Sequence, residues 1–249
     1  MRHEYAEYNY DGKTCRDSFY VPDDADVSLP VVLVIPDYHG ATEYVERDAQ
    51  TICELGYVGY CIDFYGERAM PKSSEAAGEM IVPYIDDRPK ALNRLVAARE
   101  QAQALDVVDS SKTAVIGYSS GGMYALDMAR RIGELTGAIS VWGVLTPWQL
   151  RPLPMIEPKV DGPKILILQG TDDPFNPLES ILGIMHEFDA TATDYQLVLL
   201  GGKKHAFSLK IEDNLEIQGG EQPEALLYDA DADSRSRTYV KEFLAELFA

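Results

Sequence analysis

The sequence has only three cysteines, Cys15, Cys53 and Cys61, and no two of them form a CxxC pair. An odd number of scattered cysteines argues against a disulfide framework, and the lack of paired cysteines argues against a zinc site. The sequence therefore predicts no disulfide, no bound metal and a reducing, cytoplasmic environment.

Long apolar runs are missing as well. No stretch approaches the roughly 18 apolar residues that a membrane span needs. The first residues, MRHEYAEYNYDGKTC, lack the apolar centre of a secretory signal. We therefore expect a soluble protein that is not exported and has no membrane partner.

Basic residues are scarce beside acidic ones. The chain has 22 Lys and Arg residues against 41 Asp and Glu residues, for a formal net charge of −19. A surface of that sign repels nucleic acids and anionic membranes, so neither is expected as a partner.

The 249 residues contain no internal repeat and no linker rich enough to divide them, so we interpret 1–249 as one domain. Short runs that are apolar along their whole length alternate with helical patterns. Such runs are typical of strands covered on both faces, as in a parallel sheet. The predicted strands are 31–36, 57–63, 113–118, 137–143, 164–170 and 195–200, and the predicted helices are 43–55, 89–104, 120–132, 178–189 and 234–249.

This alternation predicts an α/β fold with right-handed βαβ units and an open, doubly wound sheet. In such sheets, ligands bind beyond the carboxyl ends of the strands. Polar, acidic, hydroxyl and imidazole groups follow the predicted strands, in the segments DYHGATE, FYGERAMPKSSEAAGEM, GYSSGG, GTDDPFNP and GGKKHAF. We expect these segments to form the functional site.

The segment GYSSGG contains the pattern G-x-S-x-G, which is typical of a nucleophile elbow between a strand and a helix. Side chains two residues either side of the nucleophile would collide with the neighbouring strand and helix. Gly117 and Gly121 flank Ser119 in this way, whereas Ser120 would have Tyr118 in one of those places. Ser119 is therefore the candidate nucleophile, and a Gly-rich turn capped by serine is the alternative.

The base and the acid are sought after Ser119, because the order in α/β-hydrolases is nucleophile, acid, histidine. Among four histidines, His205 alone follows Ser119 and lies just past a predicted strand; His3 falls in a start that we interpret as mobile. Asp172 and Asp173 compete for the acid. We prefer Asp173, and assign Asp172 to solvent or to local backbone bonds. A surface histidine and an Asx turn are the alternatives.

Together these residues predict acyl transfer. A serine hydroxyl is barely ionised at neutral pH, so His205 would take its proton while Asp173 fixes the histidine tautomer. The rate is then expected to rise through roughly pH 6–7. The oxyanion needs donors already in place, and we expect them to be the backbone N–H groups of Ser120 and Tyr38.

With these motifs in view, the chain resembles the dienelactone hydrolase family of α/β-hydrolases over nearly its whole length. The matching stretches include PVVLVIPDYHGATEYVERDAQTICELGYVGYCIDFYG, IGYSSGG, LILQGTDDPFNP, LVLLGGKKHAF and YDADADSRSRTYVKEFLAELF. The resemblance implies a sheet of about eight strands, no cofactor, and a triad that falls on Ser119, Asp173 and His205.

Three departures from the family pattern favour a general carboxylesterase. Ser119 stands where the family usually has cysteine, and Asp37 stands where it often has a longer glutamate. Asp37 is interpreted as orienting the loop or a substrate, with a structural role as the alternative. No arginine closely follows HAFSLK, whereas dienelactone-specific members bind the substrate carboxylate with arginines; Arg88 is the remaining candidate.

The sequence thus predicts a serine carboxylesterase, a monomer or homodimer, that cleaves small to medium acyl esters through an acyl-enzyme. A lactone hydrolase and a non-catalytic binding protein on the same scaffold are the alternatives. We interpret DADADS (229–234) as the negative start of the last helix and KSSEAAGEM (72–80) as a loop and helix start. The candidate acyl-pocket residues, each with core packing as the alternative, are Tyr38, Trp142, Phe175 and Phe207.

Overall fold

The protein is described from a computed structural model, in which residues 1–25, 27–132, 134–146, 162–213 and 225–249 are described. The strands are β1 Arg2–Tyr10, β2 Lys13–Val21, β3 Leu29–Ile35, β4 Val58–Cys61, β5 Val108–Tyr118, β6 Gly137–Val141, β7 Lys164–Gly170 and β8 Tyr195–Leu200. The helices are α1 Glu43–Glu54, α2 Ser74–Asp86, α3 Arg88–Gln103, α4 Ser120–Arg131, α5 Leu178–Ala190 and α6 Ala230–Leu247.

The eight strands form one sheet in the order β1-β2-β4-β3-β5-β6-β7-β8. All six predicted strands are present as β3 to β8, and each pairs in parallel with its neighbours among them. The five predicted helices correspond to α1, α3, α4, α5 and α6. The prediction of a mostly parallel, doubly wound α/β sheet is therefore confirmed.

The interpretation of the start as mobile is wrong. Strands β1 and β2 form an antiparallel hairpin, and β2 joins the sheet through antiparallel pairs with β4. The turn is Asp11-Gly12, both with positive φ (51° and 77°), as a two-residue hairpin requires. The ring of His3 stacks on that of Tyr20, with 4.5 Å between centroids. Strand β1 lies at the edge and is mostly exposed, so it carries polar residues and lacks the apolar run of a buried strand.

Strand β8 differs from its prediction in a related way. Its apolar sequence indicated cover on both faces, but it is the last strand of the sheet, and Leu199 is 44% exposed. An edge strand pairs on one side only, so apolar composition alone does not establish burial.

The two faces of the sheet carry separate hydrophobic layers. Along β3, Val31, Leu33 and Ile35 belong to one layer, and Val32 and Val34 belong to the other, because successive side chains of a strand point to opposite faces. Helices α2, α3, α4 and α5 cover the first layer, and helices α1 and α6 cover the second. Across the described segments, no helix combines the length and apolarity that crossing a bilayer requires.

Two loop predictions are also confirmed. Ser73, within KSSEAAGEM, caps α2 and accepts a hydrogen bond from the N–H of Ala76. In the acidic run before α6, Asp229 is the N-cap and accepts from Ala232, with acidic residues in the first turn. Carboxylates at this position stabilise the positive end of the helix dipole.

Candidate active site

Ser119 lies on a very tight turn between β5 and α4. Its φ of 52° and ψ of −116° are sparsely populated for a residue with a side chain. A Cβ on Gly117 would stand 2.1 Å from the carbonyl oxygen of Gly121, and a Cβ on Gly121 would stand 2.4 Å from that of Ile35. No real side chain tolerates such distances. Both glycines are therefore required by the close packing of strand, turn and helix.

The side chains of Ser119, His205 and Asp173 form one hydrogen-bonded series. Ser119 Oγ lies 2.9 Å from His205 Nε2, and His205 Nδ1 lies 2.7 Å from Asp173 Oδ2. His205 and Asp173 are only 4% and 3% exposed. A carboxylate accepts the Nδ1–H proton, which leaves Nε2 with a lone pair to accept the serine hydroxyl. The structure thus brings the three predicted residues into contact in the order that acyl transfer needs.

The carboxylate of Asp173 is surrounded by donors. Gln169 Nε2 and Asn176 Nδ2 donate to Oδ2 at 2.7 and 2.9 Å, and the backbone N–H of Phe175 donates to Oδ1 at 2.9 Å. Burial alone would raise the pKa of Asp173. The hydrogen bond and the charge of His205, together with the hydrogen bonds from Asn176 and Phe175, outweigh burial and lower that pKa below its usual value. Asp173 is therefore ionised at neutral pH.

Gln169 and Asn176 are functional candidates that the sequence analysis missed. Asn176 is buried, donates also to the carbonyl of Gly143 at 2.9 Å, and accepts from the N–H of Leu145 at 2.6 Å. It thereby joins the loops after β6 and β7 beneath the carboxylate. Both residues lie within the quoted motif LILQGTDDPFNP, but nothing local in that motif shows which side chains point inward. Asp172, in contrast, is exposed, as predicted.

Two aromatic rings contact the His205 imidazole. The ring centroid of Trp142 lies 5.1 Å from it at an interplanar angle of 78°, and that of Phe175 lies 4.7 Å from it at 60°. Phe175 is 52% exposed, whereas Trp142 and Phe207 are 1% and 0% exposed. Among these three predicted acyl-pocket residues, Phe175 alone presents substantial surface beside the histidine.

The loop after β3 packs against the elbow. A Cβ on Gly121 would also lie 2.4 Å from the carbonyl oxygen of Pro36, in this loop. Asp37 is buried and accepts from the N–H of His39 at 2.8 Å, so it orients this loop. Burial raises the pKa of Asp37, against smaller opposing effects of the charges of His39 and His205. The half-buried Tyr38 is held through its carbonyl, which accepts from the hydroxyl of Tyr65 at 2.8 Å.

Comparison with protein-family models matches residues 17–248 to the dienelactone hydrolase family. The chain belongs to this family. It is a hydrolase with the α/β-hydrolase fold, as the sequence predicts.

Its relatives differ in what their names say they act on. The protein named "Probable 2-oxo-3-(5-oxofuran-2-ylidene)propanoate lactonase", from a Bradyrhizobium species, is 27% identical over 187 residues, which cover 72% of this chain and 73% of that protein. The dienelactone hydrolase-like promiscuous phosphotriesterase P91, from metagenomic libraries, has a TM-score of 0.89 and 26% identity over 100% of this chain and 99% of that chain. Dienelactone hydrolase from Anabaena variabilis has a TM-score of 0.64 at 16% identity, over 100% and 99% of the two chains, which shows the fold alone.

One prediction about dienelactone hydrolase specificity needs correction. Arg88 does not serve as a free anchor for a substrate carboxylate, because its buried guanidinium forms a bidentate pair with Asp127 on α4. The Nε–Oδ2 distance is 2.6 Å. Arg130 donates to the same carboxylate. A guanidinium paired in this way inside the protein is unavailable to a ligand.

The described residues contain no group of three or more His, Cys, Asp or Glu side chains that could hold a metal ion. The chemistry of the site must be judged on its own side chains. A hydroxyl, an imidazole and an ionised carboxylate in series can transfer an acyl group through a covalent serine intermediate.

Proposed function

We propose that this member of the dienelactone hydrolase family is a serine carboxylic-ester hydrolase that cleaves small to medium acyl esters through an acyl-enzyme. The observation that carries the proposal is the series Ser119–His205–Asp173 on a strained elbow. A lone serine or histidine has many structural uses, but a serine hydroxyl aligned on an imidazole that is aligned on an ionised carboxylate is suited to nucleophilic attack.

In the proposed reaction, Ser119 Oγ attacks the ester carbonyl as its proton passes to His205 Nε2. The negative charge moves to the carbonyl oxygen, where the backbone N–H groups of Ser120 and Tyr38 would stabilise it. Collapse of this intermediate breaks the bond to the leaving alkoxide, which takes the proton from His205. Water then attacks the acyl-serine with His205 again as base, and the acid leaves with Ser119 restored.

Asp173 supports both halves of this cycle. Its lowered pKa keeps it charged while His205 carries the extra proton, and its Oδ2 holds the Nδ1–H that defines the tautomer. An ionised partner stabilises the imidazolium that forms in each transition state. The bonds from Gln169 and Asn176 keep the carboxylate in place without neutralising it.

A neutral substrate fits the surroundings better than an anionic one. Phe175 presents an exposed aromatic ring beside His205, and Arg88 is paired internally with Asp127. The formal net charge of −19 disfavours the approach of anions. These features support esters with apolar acyl or alcohol groups.

A lactone hydrolase is the second candidate, and the relative named as a lactonase favours it. A lactone is a cyclic ester, so the same three side chains would open it. The two candidates differ in substrate, and the ratio of kcat/KM for uncharged esters to kcat/KM for lactones that bear a carboxylate decides between them. The third reading, a non-catalytic binding protein, predicts no covalent chemistry at Ser119.

The decisive experiment combines a chromogenic ester series, from acetate to decanoate, with a fluorophosphonate probe that labels activated serines. Wild-type protein should hydrolyse the shorter members and be labelled, and Ser119→Ala should lose both activities. His205→Ala should lose at least about 10³-fold in kcat. The controls Ser234→Ala and His186→Ala change exposed residues of α6 and α5 and should behave as wild type. Wild-type turnover in Ser119→Ala, or no labelling of the wild type, would reject the proposal.

A further inference from the structure

Trp142 has an unfavourable backbone conformation directly behind His205. It follows β6 with a φ of 38°, which is a clear outlier for a bulky residue. Its N–H donates to the carbonyl of Leu168 at 2.8 Å, and its side chain is buried. Such conformations persist only where the surroundings determine them, and they cluster where a side chain must point in one direction.

Two hydroxyls hold the indole. Trp142 Nε1–H donates to Ser208 Oγ at 2.7 Å, and Ser208 Oγ lies 2.9 Å from the hydroxyl of Tyr44. Ser208 stands three residues after His205, and Tyr44 belongs to α1, which packs on the same sheet. All three side chains are buried. The indole has a single N–H donor, and its hydrogen bond to Ser208 therefore fixes the orientation of the ring.

The His205 ring needs such support. Its hydrogen bonds to Ser119 and Asp173 are made by its two nitrogens, so they leave the ring free to tilt about the line that joins those nitrogens. A tilt moves the Nε2 lone pair off the serine hydroxyl, and hydrogen bonds weaken steeply with misalignment. Trp142 meets the imidazole edge to face, and the ring of Phe175 meets it at an interplanar angle of 60°. Because Phe175 is exposed, Trp142 is the rigid one of the two.

A small cavity adjoins the two hydroxyls. It has a volume of about 40 Å³, and Tyr44, Ser208, Tyr118 and Asp48 are among the residues that line it. Loss of either hydroxyl would therefore give the neighbouring rings room to move, which the otherwise dense packing of a protein interior denies them.

We propose that Trp142 is a positioning residue for His205, and that Ser208 and Tyr44 set its ring through the indole hydrogen bond. This inference rests on the proposed function. It adds that the His205 ring is held in place by Trp142 after β6, Tyr44 on α1 and Ser208 in the loop after β8. It also assigns Trp142 a task other than contact with the acyl group.

The test compares Ser208→Ala, Tyr44→Phe and Trp142→Phe with variants that remove buried hydroxyls elsewhere. Ser18→Ala and Tyr60→Phe are the matched controls, because each also removes a buried, hydrogen-bonded hydroxyl. Ser18 on β2 donates to Glu46 on α1, and Tyr60 on β4 donates to Asp17 on β2. We expect kcat to fall about tenfold in Ser208→Ala and Trp142→Phe, and less in Tyr44→Phe, with KM within about twofold of wild type. The rate of fluorophosphonate labelling should fall in parallel.

The double variant Ser208→Ala/Trp142→Phe should be no slower than Trp142→Phe alone. Each single change already removes the same hydrogen bond, the one from the indole N–H to Ser208 Oγ. If Trp142→Phe does not fold, Ser208→Ala and Tyr44→Phe decide the matter. A loss of kcat in Ser208→Ala no larger than in Ser18→Ala, or a rise in KM at constant kcat, would overturn the inference. Absence of any Ser119-dependent labelling in wild type would instead overturn the proposed function, and this inference with it.

Discussion

Asp173 Oδ2 lies 2.7 Å from both His205 Nδ1 and Gln169 Nε2, so one carboxylate oxygen joins the imidazole to the end of β7. Asn176 donates to the same oxygen. Three donors around one buried oxygen hold the carboxylate in a single orientation, and that orientation decides which proton the imidazole keeps.

The first prediction concerns the tautomer of His205. Asp173→Asn keeps the shape of the side chain but can place an amide NH₂ donor opposite Nδ1 of His205, which disfavours the tautomer with a proton on Nδ1. We therefore expect kcat to fall by about 10³–10⁴-fold with little change in KM. Steady-state kinetics on a short acyl ester measures it. The neighbouring Asp172→Asn is the matched control, because Asp172 is exposed, and it should retain wild-type kcat. Equal activity of both variants would remove Asp173 from the mechanism.

The second prediction concerns stability and pH. Burial raises the pKa of Asp37 above its usual value of 3.8. A raised pKa in the folded state means that ionisation costs more there than in the unfolded chain. The contribution of Asp37 to the stability of the protein should therefore fall as pH rises above about 4 and through the raised pKa.

Asp37→Asn cannot ionise and still offers an oxygen to the N–H of His39. It should therefore be more stable than wild type at neutral pH, and this gain should shrink toward pH 3. Urea unfolding at several pH values gives the difference directly. A gain that is constant with pH would contradict the assignment of the effect to ionisation.

The third prediction tests the space at the elbow. Gly121→Ala places a Cβ 2.4 Å from the backbone carbonyl oxygens of Ile35 and Pro36. Because both clashing atoms belong to the backbone, the clash cannot be relieved by a change of side-chain rotamer. We expect a loss of more than about 3 kcal/mol of stability, or failure to fold.

Gly78→Ala is its control, because a Cβ there meets nothing within 4 Å in the interior of α2. That change should stabilise the protein by about 0.5–1 kcal/mol. Thermal unfolding of both variants checks the pair, and equal effects would show that the turn has more room than the structure indicates.

The fourth prediction concerns the substrate. Phe175→Ala removes exposed apolar surface beside His205, so KM should rise more for longer acyl or alcohol groups than for acetate. A rise of about three- to tenfold is expected, because burying one aromatic side chain against a substrate contributes about 1 kcal/mol or more. Leu199→Ala, an exposed change on β8, is the control. A KM that is independent of chain length in the variant and in wild type would place the acyl group elsewhere.

Much of this protein could be predicted from short stretches of sequence. The apolar runs from β3 to β8, the glycines around Ser119 and the position of His205 after a strand all report local constraints. A buried strand must be apolar, and a sharp turn must exclude side chains from its flanks. The hairpin of β1 and β2 escaped notice because an edge strand is half polar, although the Asp11-Gly12 turn marks it.

Other features depended on contacts between segments far apart in the chain. Arg88 meets Asp127, Gln169 and Asn176 close on Asp173, and Trp142 bonds Ser208 behind His205. No local pattern states which of several polar side chains faces inward, because that choice is made by partners that arrive only when the sheet and helices pack. The sequence by itself thus determined the elbow, the order of the reacting groups and the parallel sheet. The tertiary structure alone decided how those groups are held, since orientation is a property of neighbours and not of the residue.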